Sequence, residues 1–169
     1  MKRKVKIDPY SVDSINRAIE ELTRFQEKLE TLPEAVVLAL AETGENLAKQ
    51  NVAYYNAYDT GELMNSITSE VSDPGKHARI VASAPHAAYV EFGTGYRGQN
   101  SPHPDPGVYD GGWAYDVNEH GVGGWVYRGD DGQMHFTQGF ESRPYMYDTA
   151  NMLRRMVRKI AKEELEKIL

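Results

Sequence analysis

One segment organises this chain, and it reads Tyr89-Val90-Glu91-Phe92-Gly93-Thr94-Gly95. Glu91 lies inside an apolar run, so its charge needs a partner or a route to water whether the run is a strand or a helix. Gly93 and Gly95 permit a positive φ and a close approach of the backbone, which favours a sharp turn. We interpret residues 89–92 as a core strand that ends in this turn, and we expect Glu91 to be structural.

Two further segments frame this one, at residues 59–67 and 142–146. In this order the three segments resemble the small tail-component family of long-tailed bacteriophages, over the region from Leu32 to the C-terminus. The residues that match the family's elements are Gly61, Leu63 and Ser66 in the first, Tyr89, Glu91, Phe92, Gly93, Thr94 and Gly95 in the second, and Arg143, Pro144 and Tyr145 in the third.

The resemblance implies a structural protein and no enzyme, with no catalytic residue, metal or cofactor. It implies a homo-oligomeric ring at the phage neck that completes the tail and joins it to the head. The partners implied are further copies of the chain, a head connector or stopper protein, and a tail tube or tail terminator protein. Genome DNA would pass through the ring without sequence-specific binding. The predicted location is the neck of the virion, after assembly in the host cytoplasm.

Composition is compatible with this reading. The 169 residues suit one domain, 1–169, and the formal charge of −6 argues against a general nucleic-acid binder. Without cysteine, neither a disulfide nor a thiolate zinc site can form. The basic start lacks the apolar core of a signal peptide, and no apolar run reaches the length of a membrane span. We therefore expect no membrane partner.

The predicted fold class is α+β, with N-terminal helices, a small twisted antiparallel sheet, an extended hairpin insert and a C-terminal helix. Ser11 is a plausible N-cap for the first helix, whose apolar stripe comprises Val12, Ile15, Ile19, Leu22 and Leu29. Pro33 predicts that this helix ends and a second begins. Gly44 interrupts the second helix, at a cost that close packing against a neighbour would offset. The apolar faces of the helices exceed what a small sheet can cover, which predicts surface left for partners.

Turn chemistry predicts the shorter elements. Asp59 and Glu62 form a capping-box pattern before a short helical turn. A hairpin is predicted on either side of residues 73–76, where proline and glycine suit a type II turn. The last helix is predicted to open at Arg143-Pro144.

Residues 96–136 form an insert that is longer than in compact members of the family. Its prolines and glycines predict little regular structure before a hairpin formed by residues 125–128 and 133–136 around the turn 129–132. Aromatic side chains in a loop are more typical of an interface than of a linker. The predicted interface aromatics are Tyr109, Trp113, Tyr115, Trp125 and Tyr127.

Two other function classes stay open on the sequence alone. The insert carries His103, Asp105 and His120, which a metal-dependent hydrolase would use, although no hydrolase motif matches their spacing. A toxin-like or regulatory binding module is the third class. Neighbouring genes for a portal protein and a tail tube protein would favour the structural role over both.

Overall fold

The computed structural model describes residues 5–57, 60–73, 75–116, 119–121, 123–129 and 131–169. The fold is α+β, as predicted. Its helices are α1 (Val12–Tyr54), α2 (Glu62–Asn65), α3 (Ala87–Phe92), α4 (Gly95–Asn100) and α5 (Tyr145–Ile168), with a 3₁₀ turn at Pro106–Val108. Its strands are β1 (Ile67–Ser72), β2 (His77–Ala82), β3 (Trp125–Arg128) and β4 (Met134–Thr137). They form two separate two-stranded antiparallel sheets, β1–β2 and β3–β4.

The N-terminal helix begins where the sequence predicts. The hydroxyl oxygen of Ser11 accepts a hydrogen bond from the amide of Ser14 at 3.3 Å, so Ser11 is the N-cap. The predicted break at Pro33 is wrong, because α1 continues through the proline to Tyr54. A proline removes one hydrogen bond of the helix, but helix-forming residues on both sides keep this helix continuous.

The chain divides into two compact units. The first contains the described residues of Met1–Gly44 together with Ser69–Ile80 and Met152–Leu169. Within it, a Cβ added to Gly44 would lie 2.7 Å from Cδ1 of Leu153 and closer still to Ile80. The close packing that would offset the cost of Gly44 is therefore present, and it explains a glycine inside a helix.

The second unit contains Glu45–Thr68 and Val81–Asn151. Residues 89–92 lie in this unit and belong to helix α3, so the core strand predicted there is wrong. Positions 87, 90 and 91 of α3 are buried with the spacing of one helical face, and Phe92 beside them is buried too, so the pattern is not the alternation of a strand. Gly93 ends this helix: its amide donates to the carbonyl of Tyr89 at 2.7 Å, and its φ is +80°.

The two predicted hairpins are confirmed. In the second, Trp125 pairs with Thr137, Val126 with Phe136, Tyr127 with His135, and Arg128 with Met134. Residues 96–100, at the start of the predicted insert, belong to α4. α5 begins at Tyr145, directly after the predicted Arg143-Pro144.

The capping-box pattern at 59–62, the turn at 73–76 and the turn at 129–132 each contain a residue outside the described residues, namely Asp59, Pro74 and Asp130. No helix in the described ranges combines the length and the apolar character needed to cross a bilayer.

Candidate functional site

The carboxylate of Glu91 lies at the centre of the second unit. It is 7% exposed, which is unusual for a carboxyl group, because such a group is charged at neutral pH when its pKa is ordinary. Oε2 accepts the amide of Met146 and Oε1 accepts the amide of Tyr147, both at 2.9 Å. Both amides belong to the first turn of α5, where backbone N–H groups have no partner inside the helix. Glu91 therefore caps α5 from another helix.

His103 completes the set of donors. Its Nε2 lies 3.1 Å from Oε1 of Glu91, and its Nδ1 accepts the amide of Asp105 at 3.0 Å. An acceptor at Nδ1 leaves the hydrogen on Nε2, so His103 is the tautomer that donates to Glu91. His103 is 2% exposed, so both ring nitrogens are used inside the protein.

Burial raises the pKa of the Glu91 carboxyl above its ordinary value, because desolvation disfavours the charged form. The amides of Met146 and Tyr147, and then His103, lower that pKa in part. Burial likewise raises the pKa of Tyr145, with a smaller contribution from the charge of Glu91.

Backbone contacts join the second and third sequence segments around this carboxylate. The amide of Arg143 donates to the carbonyl of Val90 at 2.9 Å, and the hydroxyl of Ser142 donates to the carbonyl of Glu91 at 2.5 Å. Thr94 and Phe140 form an isolated antiparallel bridge just beyond. The two segments are about fifty residues apart in sequence and meet here along their backbones.

Gly95 shows why the turn needs glycine. Its φ is +60°, and an added Cβ would lie 2.5 Å from the carbonyl oxygen of Gln138 and 2.9 Å from the ring of Trp125. A side chain at this position would therefore be both strained and obstructed.

The first segment lies beside the entry to α3. Leu63 is 2% exposed, and Gly61 precedes α2 with a φ of +83°. The carbonyl of Ser66 accepts the amide of Ser83 at 3.3 Å, and Glu62 lies 3.9 Å from His86. All three segments thus contribute to one framework in the second unit, which we call the Glu91 framework.

A second buried network supports the same end of α5. Nδ2 of Asn51 donates to the hydroxyl of Thr149 at 2.9 Å and to the carbonyl of Tyr145 at 3.3 Å. Tyr145 is 1% exposed. Asn51 was not among the predicted residues, because it lies in α1, far from the motif in sequence.

The predicted interface aromatics fall into two groups. Trp113 stacks on Phe92 with ring centres 5.0 Å apart, its indole N–H donates to the carbonyl of Gly93 at 2.8 Å, and Tyr109 contacts both rings. This cluster anchors part of the insert to the framework. Tyr115 contributes its carbonyl to the amide of Gly95.

The other two lie on the β3–β4 hairpin. Trp125 is stacked on His120 with ring centres 6.1 Å apart, and Tyr127 contacts His135 at 5.7 Å. Tyr127 is 47% exposed. Their role at an interface stays a prediction.

The three residues of the hydrolase hypothesis do not form one cluster of side chains, since Asp105 meets His103 through its backbone amide. His103 is engaged by Glu91 and Asp105, while His120 packs on Trp125. Within the described ranges no three His, Cys, Asp or Glu side chains are grouped so that they could hold a metal ion.

Comparisons of this chain with protein-family models, with curated proteins and with solved structures give no match.

Proposed function

We propose that this chain is a structural protein of a long-tailed phage or a phage-like particle. It forms a homo-oligomeric ring at the neck, completes the tail and joins it to the head connector. Its contacts are further copies of itself, a connector or stopper protein on the head side, and a tail tube or terminator protein on the tail side. DNA passes through the ring, and the chain carries out no chemistry.

The Glu91 framework supports this proposal through the use that it makes of the motif. The residues that carry the resemblance are occupied in holding the fold: Glu91 caps α5, Gly93 ends α3, and Arg143 bonds back to Val90. The carboxylate of Glu91 is buried and has hydrogen-bond partners on both oxygens. A motif used in this way has a structural role, whereas a catalytic motif would present its polar groups to a substrate.

The observation that carries the assembly role is the β3–β4 hairpin. Val126 and Phe136 are paired across its strands, and Met134 lies on the same face. They are 55%, 66% and 66% exposed. A two-stranded hairpin is marginally stable alone in water, and both of its edges offer unpaired backbone groups. A partner protein that covers this face would stabilise the hairpin and bury its apolar side chains.

The proposal is tested by reconstitution. Particles are prepared from cells that lack this chain, purified protein is added, and the fraction of tails joined to filled heads is counted by electron microscopy. We expect wild-type protein to restore joining. The double variant Val126→Thr/Phe136→Thr keeps residues that favour strands but removes the apolar face, and we expect it to fail.

The matched control is Val71→Thr, which changes an exposed strand valine of the other hairpin, 41% exposed. It should restore joining as the wild type does. Normal joining in cells that lack the chain would overturn the proposed function. Full activity of the double variant would overturn the role of the hairpin.

A further inference from the structure

The exposed stripe at the start of α1 has the periodicity of a coiled-coil seam. Beginning the heptad abcdefg at Val12, the a positions hold Val12, Ile19 and Gln26, and the d positions hold Ile15, Leu22 and Leu29. The alternating steps of three and four residues match a period of 3.5 residues, which keeps one narrow seam facing a partner helix. The seam therefore fits a helix more closely than a sheet or a loop.

The apolar members of this seam are open to solvent. Val12 is 72% exposed, Ile19 and Leu22 are each 55% exposed, and Ile15 and Leu29 are each 37% exposed. The buried residue of this part of α1 is Ala18, at a g position beside the seam. It lines a groove with Val5 and Lys6, so the N-terminal segment lies beside the helix on a side other than the seam.

The identity of the seam residues points to two parallel strands. Within parallel coiled coils, branched residues at a with Leu at d favour two strands, and Val12 and Ile19 at a with Leu22 and Leu29 at d follow this rule; Ile15, at the first d position, departs from it. A single Asn or Lys at an a position specifies register and strand number in coiled coils, and Gln26 places a side-chain amide, the polar group of Asn, at such a position. In a parallel pair in register, Gln26 faces Gln26 of the second copy and the two amides can bond to each other.

Charge also permits a second copy as the partner. Among the flanking e and g positions only Glu30 is charged, the others being Asn16, Ala18, Thr23, Phe25 and Leu32. The remaining charges of this stretch lie at b, c and f, away from the seam: Asp13, Arg17, Glu20, Glu21, Arg24, Glu27 and Lys28. Two copies can therefore meet without like charges opposed across the seam.

We propose that α1 pairs through residues 12–29 with the same residues of a second copy, as a parallel two-stranded coiled coil. Such a contact uses the same surface on both copies and closes at two, unlike the head-to-tail contact that builds a ring. The pairing does not depend on the phage assignment. If it persists in a ring, that ring contains an even number of chains.

The test measures the mass of the purified full-length chain by sedimentation equilibrium at micromolar concentrations. We expect wild type to be in reversible equilibrium between monomer and dimer. Ile19→Gln/Leu22→Gln should weaken the association by at least about a hundredfold, because four apolar side chains per dimer lose their burial. Leu38→Gln should dimerise as wild type does, since Leu38 is a 47% exposed apolar residue of α1 outside the seam.

Circular dichroism of each variant checks that helix content is unchanged. A wild type that stays monomeric throughout this range would overturn the proposal. Association of Ile19→Gln/Leu22→Gln with wild-type affinity would overturn it as well.

Orientation has its own readout, because the chain contains no cysteine. Gln26→Cys should form a covalent dimer rapidly on oxidation if the helices are parallel and in register, while Glu20→Cys, at a b position, should cross-link much more slowly. Equal rates, or no covalent dimer with Gln26→Cys while the chain still sediments as a dimer, would exclude the parallel pairing. Failure of this test leaves the reconstitution result untouched, so the two proposals fail separately.

Discussion

Replacement of Glu91 by leucine tests the framework on which the proposed function depends. The change removes both oxygens, so the amides of Met146 and Tyr147 and the Nε2–H group of His103 lose their acceptors. Each buried donor left unpaired costs about 1–3 kcal/mol. The variant no longer has to desolvate a carboxylate, which offsets part of that loss, and we expect a net loss of about 3–5 kcal/mol in the free energy of unfolding.

Thermal and urea denaturation followed by circular dichroism measure this loss. For a chain of this size, 1 kcal/mol corresponds to roughly 2–4 °C in Tm, so Tm should fall by on the order of 10 °C. Glu91→Gln should lower the free energy of unfolding by less, about 1–3 kcal/mol, because its amide oxygen can still accept a hydrogen bond while its N–H groups face the remaining donor.

Glu62→Leu is the matched control. Glu62 is an exposed glutamate of α2 whose contact with His86 is 3.9 Å long, so its replacement should change stability by less than about 1 kcal/mol. A Glu91→Leu variant that melts with the wild type would show that Glu91 does not hold the framework together, and the structural reading of the motif would be refuted.

Three further predictions concern pH and packing. Because burial raises the folded pKa of Glu91, its contribution to stability is fully present below the ordinary pKa near 4.5 and is lost as pH rises through the folded pKa. The free energy of unfolding of wild type should therefore increase relative to that of Glu91→Gln as pH falls from neutral toward about 4.5. If urea titrations show this difference decreasing instead, the hydrogen bonds from α5 and His103 stabilise the charged carboxylate more than burial destabilises it. Gly44→Ala should lower the free energy of unfolding by about 1–3 kcal/mol through overpacking, which exceeds its gain in helix propensity. Gly107→Ala is the control and should show no such loss, because its added Cβ meets nothing closer than 3.7 Å. Equal melting temperatures of the two variants would contradict the close packing at Gly44. Trp113→Phe loses the hydrogen bond to Gly93 and should lower the free energy of unfolding in urea by about 1 kcal/mol. Trp113→Ala also loses the ring and should lower it by about 3 kcal/mol. If both variants are as stable as wild type, Trp113 does not anchor the insert.

Local chemistry predicted much of the fold. The Ser11 cap, both hairpins and the start of α5 follow from residues that act within a few positions of themselves. The helix end predicted at Pro33 is wrong, because the helix preference of many neighbouring residues outweighs the effect of one proline. The strand predicted at 89–92 failed for a related reason: a short apolar run fits a strand and a buried helix equally well.

The contacts of the site were beyond local reasoning. That Glu91 needed a partner follows from its apolar neighbours, but the partners lie 12 and 55 or more residues away. His103 looked like a metal ligand because it lies in a polar loop, and nothing local indicates that the Asp105 amide occupies Nδ1. Asn51 and Trp113 likewise acquire their roles only when the chain folds.

Immunogold electron microscopy of purified tailed particles can show whether this chain is part of the neck. The chain carries a peptide tag, and intact particles are labelled with an antibody against it. We expect gold only at the junction of head and tail, with untagged particles unlabelled. Particles that join heads to tails but contain none of the chain, by label and by mass spectrometry of the same preparation, would contradict the proposed role at the neck.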